Sequence, residues 1–282
     1  MPGSWRHGEV FDAIAEAYDA RRSGYPREIV AAAVELAGLG IGSRVVEVGC
    51  GTGKLTEELV ACGLRVEAVD PGRNMIELAR RRVKESDLVR FHFDRFEEVS
   101  LPEESFDAVF SAAAFHWIDP KLGWAKAAAL LRPGGTIALL QPIGVRDEAN
   151  GDALDELDAA FARLAPELAA ERPTPRDEAT IRSGAEERSE NASEAWSWLA
   201  HPGLAVPEAG TLFGPALLTS VARVTEQTAG ELWAIFETTA RYHRLTATAR
   251  AELRAESERI VNRYGGTLRS TQLVALVTAH RR

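Results

Sequence analysis

The chain is poor in cysteine. Two of its 282 residues, Cys50 and Cys62, carry a thiol, too few for a disulfide-framed domain, and no Cys/His spacing resembles a zinc site, so no metal is expected. It also lacks a long apolar run: nowhere do ~20 uncharged hydrophobic residues follow one another, the length a membrane span needs. The opening segment MPGSWRHGEVFDAIAEAYDARR carries charges throughout rather than an apolar centre, which argues against a secretory leader. An excess of positive charge is missing too. Thirty-three Lys and Arg face 42 Asp and Glu, a net charge of −9, and a surface of that sign opposes non-specific attraction to nucleic acid or to an anionic membrane. The expectation is a soluble cytoplasmic protein with neither nucleic acid nor membrane as partner. Nothing in the sequence speaks to its oligomeric state.

What is present is a core-forming chain, 45% hydrophobic, with a clear order of elements. From about residue 26 to 141 short apolar runs alternate with helical patterns, the mark of successive βαβ units around a parallel sheet. Pro26 to Leu39 reads as a helix. RVVEVG (44–49), LRVEAVD (64–70), VRFHF (89–93), FDAVFSAAAF (106–115) and TIALLQ (136–141) read as strands, with helices at Lys54 to Gly63 and Asn74 to Val83 between the first three. Asp119-Pro120 marks a further helix start, with Asp as N-cap and Pro at the first helical position. Residues 145–200 are acidic, Ala-rich and helical in pattern, with breaker clusters at ERPTP (171–175) and HPGLAVPEAG (201–210). Two late strands, 216–224 and 268–279, flank helices at about 229–243 and 247–263. The expected fold is α/β: a doubly wound, seven-stranded, mostly parallel sheet, Rossmann-like, with the last strand antiparallel and a helical lid insertion. Four regions follow: an N-terminal helical cap over residues 1–30, a nucleotide-type core over 31–144, a helical lid over 145–210, and completion of the sheet over 211–282.

The most informative stretch is VVEVGCGTGKL. Gly49, Gly51 and Gly53 lie between a strand and a helix, where glycine permits positive φ and close approach of a ligand, and where free N–H groups at the helix start face the same cleft. A dinucleotide fingerprint needs glycine at the sixth place of GxGxxG, which Lys54 occupies, and no phosphate-binding GxxxxGK[ST] is present. Glu47 precedes the loop by two residues. A carboxylate there suits an amine or a cation better than a pyrophosphate. Asp70 ends the second strand, where an acid can accept both hydroxyls of a ribose. Phe11 and Tyr18 are seven apart and so share a helical face.

In these features the chain resembles the class I methyltransferases that use S-adenosylmethionine. EVGCGTG, AVD (68–70), SFDAVFSAAAFHW and LRPGGTI match that family's motifs in order and spacing over about residues 10–141. FHWID (115–119) and FDAIAEAYDARRSGYP resemble more narrowly a small-molecule branch of the trans-aconitate methyltransferase type. The resemblance implies that Glu47, Gly49, Gly51 and Gly53, with the small Cys50 among them, form the loop beside the methionine moiety, and that Asp70 holds the ribose. It implies further that Pro71 and Met75 flank the adenine, and that Ser111, Ala112 and Ala113 line the cofactor at the end of the fourth strand. Phe11 and Tyr18 would cover it. The segment after the third strand, HFDRFEEV, departs from the family pattern: Asp94 is one candidate for the acid that meets the adenine amine, and Arg95, Phe96 and Glu97 are the other.

Methyl transfer is an in-line displacement, so the protein's chief task is alignment and exclusion of water. A base is needed only where the acceptor must lose a proton. His116, just past the fourth strand, is a candidate base or substrate contact; Trp117 beside it, Arg22 and Tyr25 are candidate substrate contacts, and His243 is a second candidate base. Trp196 and Trp198, two apart, cannot share a helical face, so one would line a pocket and the other pack. Two other readings compete: an NAD(P)-dependent oxidoreductase, disfavoured by Lys54, Glu47 and the lack of a YxxxK pair, and a non-catalytic cofactor-binding partner protein.

Overall fold

The computed structural model describes residues 10–84, 86–170 and 176–282; the first nine residues of the expected cap and the ERPTP cluster lie outside them. Three helices lead in, α1 (Val10–Ala13), α2 (Ala15–Arg21) and α3 (Arg27–Leu36). Then follow β1 (Arg44–Val48), α4 (Lys54–Ala61), β2 (Arg65–Asp70), α5 (Arg73–Val83), β3 (Val89–Phe93), β4 (Phe106–Ala112), α6 (Pro120–Leu130) and β5 (Leu131–Val145). After them come α7 (Gly151–Leu164), α8 (Pro166–Ala169), α9 (Glu178–Glu186), α10 (Ala192–Ala200) and α11 (Ala209–Leu212). The chain closes with β6 (Leu217–Thr228), α12 (Ala229–Glu237), α13 (Ala240–His243), α14 (Ala247–Arg263) and β7 (Thr267–His280).

The seven strands form one sheet in the order β3-β2-β1-β4-β5-β7-β6. Pairings among β1 to β5 are parallel. β7 is antiparallel to both of its neighbours, so β6 runs in the same direction as β1 to β5. Strands such as RVVEV are apolar on both faces because helices cover both. On one side Ile29 and Val30 of α3, Leu55 and Leu59 of α4 and Ile76 of α5 pack on Val45, Val66, Ala108, Phe110, Ala138 and Leu276. On the other, Trp124 of α6 and Trp196 of α10 pack on Val46, Val109, Ile137, Leu139 and Val277. The sheet is doubly wound, and its order reverses between β1 and β4, which opens a crevice at the carboxyl ends of those strands.

Three boundaries differ from the sequence reading, each for a local reason. The fourth strand stops at Ala112 because Ala113 takes φ +53°, after which Phe115–Trp117 make a single 3₁₀ turn. The expected helix 229–243 is two. Thr238 and Thr239 hydroxyls donate to the carbonyls three residues back at 2.7 Å, and Thr239 then caps α13 by accepting from Tyr242 N, the kind of local competition that ends helices. The fifth strand begins at Leu131 rather than 136, Leu131 pairing with Phe106 and Thr136 with Ala108 across a register shift. The Asp119 cap is as expected, its carboxylate accepting from Lys121 N at 2.9 Å.

Within residues 145–210 the helices go to two places. Ile181, Ala185, Ala195, Trp196 and Leu199 of α9 and α10 belong to the core against the sheet. α7 and α8 instead join α12 and α14 in two apolar clusters: Phe161, Leu168, Trp233, Leu245 and Leu253 in one, and Ala153, Ala160, Ile260, Val261 and Leu268 in the other. Since β5 and β6 both deliver the chain to the carboxyl edge of the sheet, this helical layer stands on the crevice side. It draws on residues 151–169 and 229–263 together, the second part being inserted between β6 and β7.

Candidate active site

A cavity of about 330 Å³ opens at the carboxyl ends of β1, β2 and β4. Its floor is the glycine loop. Gly49, Gly51 and Gly53 have φ of +69°, +53° and +81°, a conformation L side chains rarely adopt, yet the three serve different ends. A Cβ on Gly49 would stand 2.3 Å from the Cβ of Ala114, and one on Gly53 2.9 Å from the backbone of Ala79, whereas one on Gly51 would meet nothing within 4 Å. Gly49 and Gly53 are therefore bare so that the loop can touch β4's exit and α5. Gly51 is bare toward the open cavity.

Asp70 fixes the loop from β2. Its Oδ2 accepts from Gly51 N at 2.8 Å and its Oδ1 from Gly72 N at 2.7 Å, which leaves a lone pair on each oxygen for a ligand. Burial raises its carboxyl to about 6 against those two bonds, with Asp12 adding to the rise. Asp12 reaches across from α1: its Oδ1 accepts from Asn74 N at 2.7 Å. α5 starts at a glycine without a side-chain cap and has no acid in its first turn, so Asp12 of α1 supplies the missing cap.

The walls are Pro71 and Met75 on one side, Arg95, Phe96 and Glu97 on another, and Ala112, Ala113, Ala114 and Ile118 toward β4. Aromatic rings close the top. Phe11 lies edge-on to both Tyr18 and Trp117, with centroids 5.6 Å apart in each case, and all three line the cavity.

Of the residues the sequence singled out, Phe11, Tyr18, Gly49, Gly51, Asp70, Pro71, Met75, Arg95, Phe96, Glu97, Ala112, Ala113 and Trp117 are thus brought to one cavity. The others lie elsewhere. Glu47 is buried beneath the loop, accepting from Thr56 Oγ1 at 2.6 Å; burial, against that bond, raises its carboxyl to about 8, so at neutral pH it is mainly protonated rather than the carboxylate the sequence reading assumed. Cys50 turns into the core with α3 and α4, and burial pushes its thiol up. Gly53 packs on α5. Ser111 is buried and donates to Val48 O at 2.8 Å. Asp94 accepts from Arg95 N at 2.9 Å. His116 is held to about 4 by burial and by His201, and its Nδ1 is buried with no partner, so it stays neutral without reaching the cavity wall. Arg22 is committed through Nε to Thr238 Oγ1 at 2.8 Å, and Tyr25 packs against the α3 side of the core. His243 Nε2 meets the carbonyl of Glu237 at 3.0 Å. Neither late tryptophan lines the cavity: Trp196 is core, and Trp198 donates to Ile181 O between the guanidinium groups of Arg176 and Arg188.

Asp12, Val48, Val69, Gly72, Ala114 and Ile118 line the cavity without having been singled out. Val48 and Val69 follow from the strand ends next to Gly49 and Asp70. Asp12 had a signal in the uncapped start of α5, but which distant acid would fill it was not written in the local sequence. Among the described residues no group of three or more His, Cys, Asp or Glu is arranged to hold a metal ion, and no helix is long and apolar enough to cross a membrane.

Residues 46–139 match the family model described as a methyltransferase domain, a span that contains the glycine loop, Asp70, the 95–97 segment and the β4 exit. Over 141 residues the chain is 37% identical to an uncharacterized methyltransferase of Mycobacterium tuberculosis, covering 50% of this chain and 54% of that protein. It is 36% identical over 96 residues to a ubiquinone biosynthesis O-methyltransferase of Methylocella silvestris, covering 33% of this chain and 38% of the other. The chain thus spans about half or less of the curated relatives it matches. A provisionally assigned type II methyltransferase from Anaeromyxobacter dehalogenans has a similar structure, with TM-score 0.58 and 24% identity over 92% of this chain and 97% of that one; this likeness concerns the fold. Most of the cavity lining, from Val48 to Ile118, lies within the span that this family model matches, and Phe11, Asp12 and Tyr18 precede it.

Proposed function

We propose that the chain transfers a methyl group from S-adenosylmethionine to a small-molecule acceptor and releases S-adenosylhomocysteine. The observation that carries this reading is the open cradle over Gly51: a bare, left-handed residue facing a 330 Å³ cavity, framed by an acid with two free lone pairs. A bare residue at that point lets a ligand approach as far as the backbone. The residues present suit an adenosyl group. Asp70 would accept the ribose hydroxyls, Pro71, Met75 and Phe96 would sandwich the flat ring, the backbone and carboxylate of residues 95–97 would meet its amine, and Phe11, Tyr18 and Trp117 would close over it. The same cradle does not suit a pyrophosphate, because Asp12 stands beside it in addition to the ribose-type acid Asp70, which counts against a nicotinamide cofactor.

When bound, the cofactor supplies a methyl carbon activated by positive sulfur. The chain's own part is positioning and dehydration. The small residues Ala112, Ala113 and Ala114 leave room at the β4 exit, and the three rings exclude water from above. His116, neutral and outside the cavity wall, is not in place to take a proton in this arrangement, which favours an acceptor that needs none removed or that brings its own base. Arg22, tied to Thr238 through Nε, keeps its two Nη groups as candidate contacts for a carboxylate. The FHWID turn and the aromatic strap are what support placing the chain near the trans-aconitate type of small-molecule enzymes.

Titration calorimetry with S-adenosylhomocysteine and with NADH tests the cofactor: heat with the first and none with the second is expected, and the reverse overturns the proposal. Incubation with isotopically labelled S-adenosylmethionine and a metabolite extract should then label a small molecule; label found only in protein or nucleic acid, or in nothing, defeats the small-molecule reading.

A further inference from the structure

We infer that Asp19 is a positioning residue for the cofactor cavity: its carboxylate latches the aromatic strap onto the glycine loop, and releasing that latch speeds cofactor departure. This rests on the reading that the cavity holds S-adenosylmethionine. The strap is α1 and α2. It brings Phe11 and Tyr18 over the cavity, so whatever holds it down governs how readily a ligand beneath those rings escapes. Asp19, next in sequence to Tyr18, does not line the cavity, and its bonds go to the glycine loop and α5, which do, and to the start of α4 directly after the loop.

The carboxylate is shared among three donors. Its Oδ1 accepts from Thr52 Oγ1 at 2.6 Å and from Arg82 Nη2 at 2.6 Å, and lies 3.0 Å from Lys54 Nζ. Lys54 Nζ also donates to the Asp19 carbonyl at 2.9 Å. Thr52 stands between Gly51 and Gly53 in the loop, and Lys54 opens α4. Arg82 reaches back from α5, its Nε donating to Thr52 O at 2.9 Å, and Glu57 of α4 lies 3.5 Å from its Nη1. One side chain therefore ties the cover to the loop, to α4 and to α5. Burial pulls the Asp19 carboxyl upward, but the hydrogen bonds from Thr52, Lys54 and Arg82 together outweigh it and hold it below the ordinary carboxylate range. Charge-assisted bonds of this kind are the strong ones. Without Asp19, Lys54 and Arg82 become neighbouring cations lacking their shared anion.

Two further ties bear on the strap, the Asp12 cap on α5 and the Arg22 bond to Thr238, but both lie at its ends. Asp19, beside Tyr18, is the one of the three that bonds the glycine loop itself. It also explains why Lys54 occupies the place that a dinucleotide fingerprint gives to glycine: its ammonium is spent on the strap rather than on a phosphate.

The test uses the whole chain immobilised for surface plasmon resonance, with S-adenosylhomocysteine as the probe. Asp19→Asn should release it faster by about tenfold, the factor that losing a charge-assisted hydrogen bond entails, with a smaller change in association rate. Thr52→Val, which keeps the side-chain shape and removes the donor, should move release in the same direction, and Thr52→Ser should restore it. In the double variant Asp19→Asn/Thr52→Val the effect should be smaller than the sum of the two single effects, because both changes weaken the same Asp19–Thr52 contact. Raising KCl should speed release from the wild type more than from Asp19→Asn. If the wild type binds and both variants release the probe at the wild-type rate while their melting temperatures fall, Asp19 merely stabilises the fold and the inference is overturned. If the wild type does not bind S-adenosylhomocysteine at all, the cofactor reading itself fails.

Discussion

Asp70 is the residue on which two backbone turns converge. Gly51 and Gly72 both donate to it, so it sets the loop geometry as well as offering oxygens to a ligand. Asp70→Ala is expected to weaken S-adenosylhomocysteine binding by ~1–3 kcal/mol, the usual consequence of leaving buried donors without their acceptor; calorimetry showing unchanged affinity would refute the assignment. Glu47 shows a different effect. Its carboxyl is raised in the folded state to about 8, above the ordinary value, so the folded chain binds a proton that the unfolded chain releases as pH climbs. The stability this gives is full at acid pH and is lost as pH rises toward 8, at up to about 1.4 kcal/mol per pH unit. Glu47→Gln should flatten that part of the profile and be the more stable protein at pH 8 in urea unfolding of the ligand-free form. A profile unchanged by the substitution would mean that Glu47 is already ionised when buried. Asp70, raised to about 6, adds a loss of the same sign at lower pH.

Among the elements, the glycine loop divides into positions pressed against protein, Gly49 and Gly53, and one that faces only open space, Gly51. Gly49→Ala must overlap Ala114 and also adopt positive φ, and should destabilise the fold by several kcal/mol, with loss of soluble expression as the gross readout. Gly51→Ala carries the backbone strain alone, of about 1–2 kcal/mol, and should melt a few degrees lower while losing S-adenosylhomocysteine binding. Circular dichroism and calorimetry on the two variants separate these outcomes. The elements were also where the sequence was most legible. β1 to β3 and their helices fall within one or two residues of the apolar periodicity: β1 and β2 are buried over most of their length, and β3, though an edge strand without a buried residue, keeps its β-branched and aromatic residues between clear breakers. The loop and the strand-end acid were legible for the same reason: glycines between a strand and a helix have few other uses. What could not be read locally were the side chains that act across long separations. Asp12 caps a helix 62 residues away, and Asp19 bonds Thr52 33 residues on. Burial also undid the simple view of Glu47 and His116, whose charge states depend on an environment the sequence does not display.

At the scale of the whole molecule there are two kinds of core. One surrounds the sheet, with Phe110, Trp124, Trp196 and Phe213 among its fully buried side chains. The other is the separate helical layer of α7, α8, α12 and α14, anchored on Trp233. Trp196→Ala should cost about 3–5 kcal/mol and lower the cooperative unfolding of the whole chain. Trp233→Ala should instead raise amide exchange in residues 151–169 and 229–263 while the sheet stays protected, since contacts between the two cores are few by comparison. Uniform loss of protection would show that the layer and the sheet form one cooperative unit.

The position of β7 has a consequence for how the protein is made. β6 reaches the rest of the sheet through β7 alone, and β7 is later in the chain than either strand it joins. Until residues 267–280 have left the ribosome, β5 and β6 each present an unpaired edge, and β6 can hang on the nascent chain as a loose ribbon for as long as α12, α13 and α14 take to be synthesised. The closing event is a wedge driven between two waiting strands, a non-local step of the slow kind. Those exposed backbones are where a chaperone would find its grip.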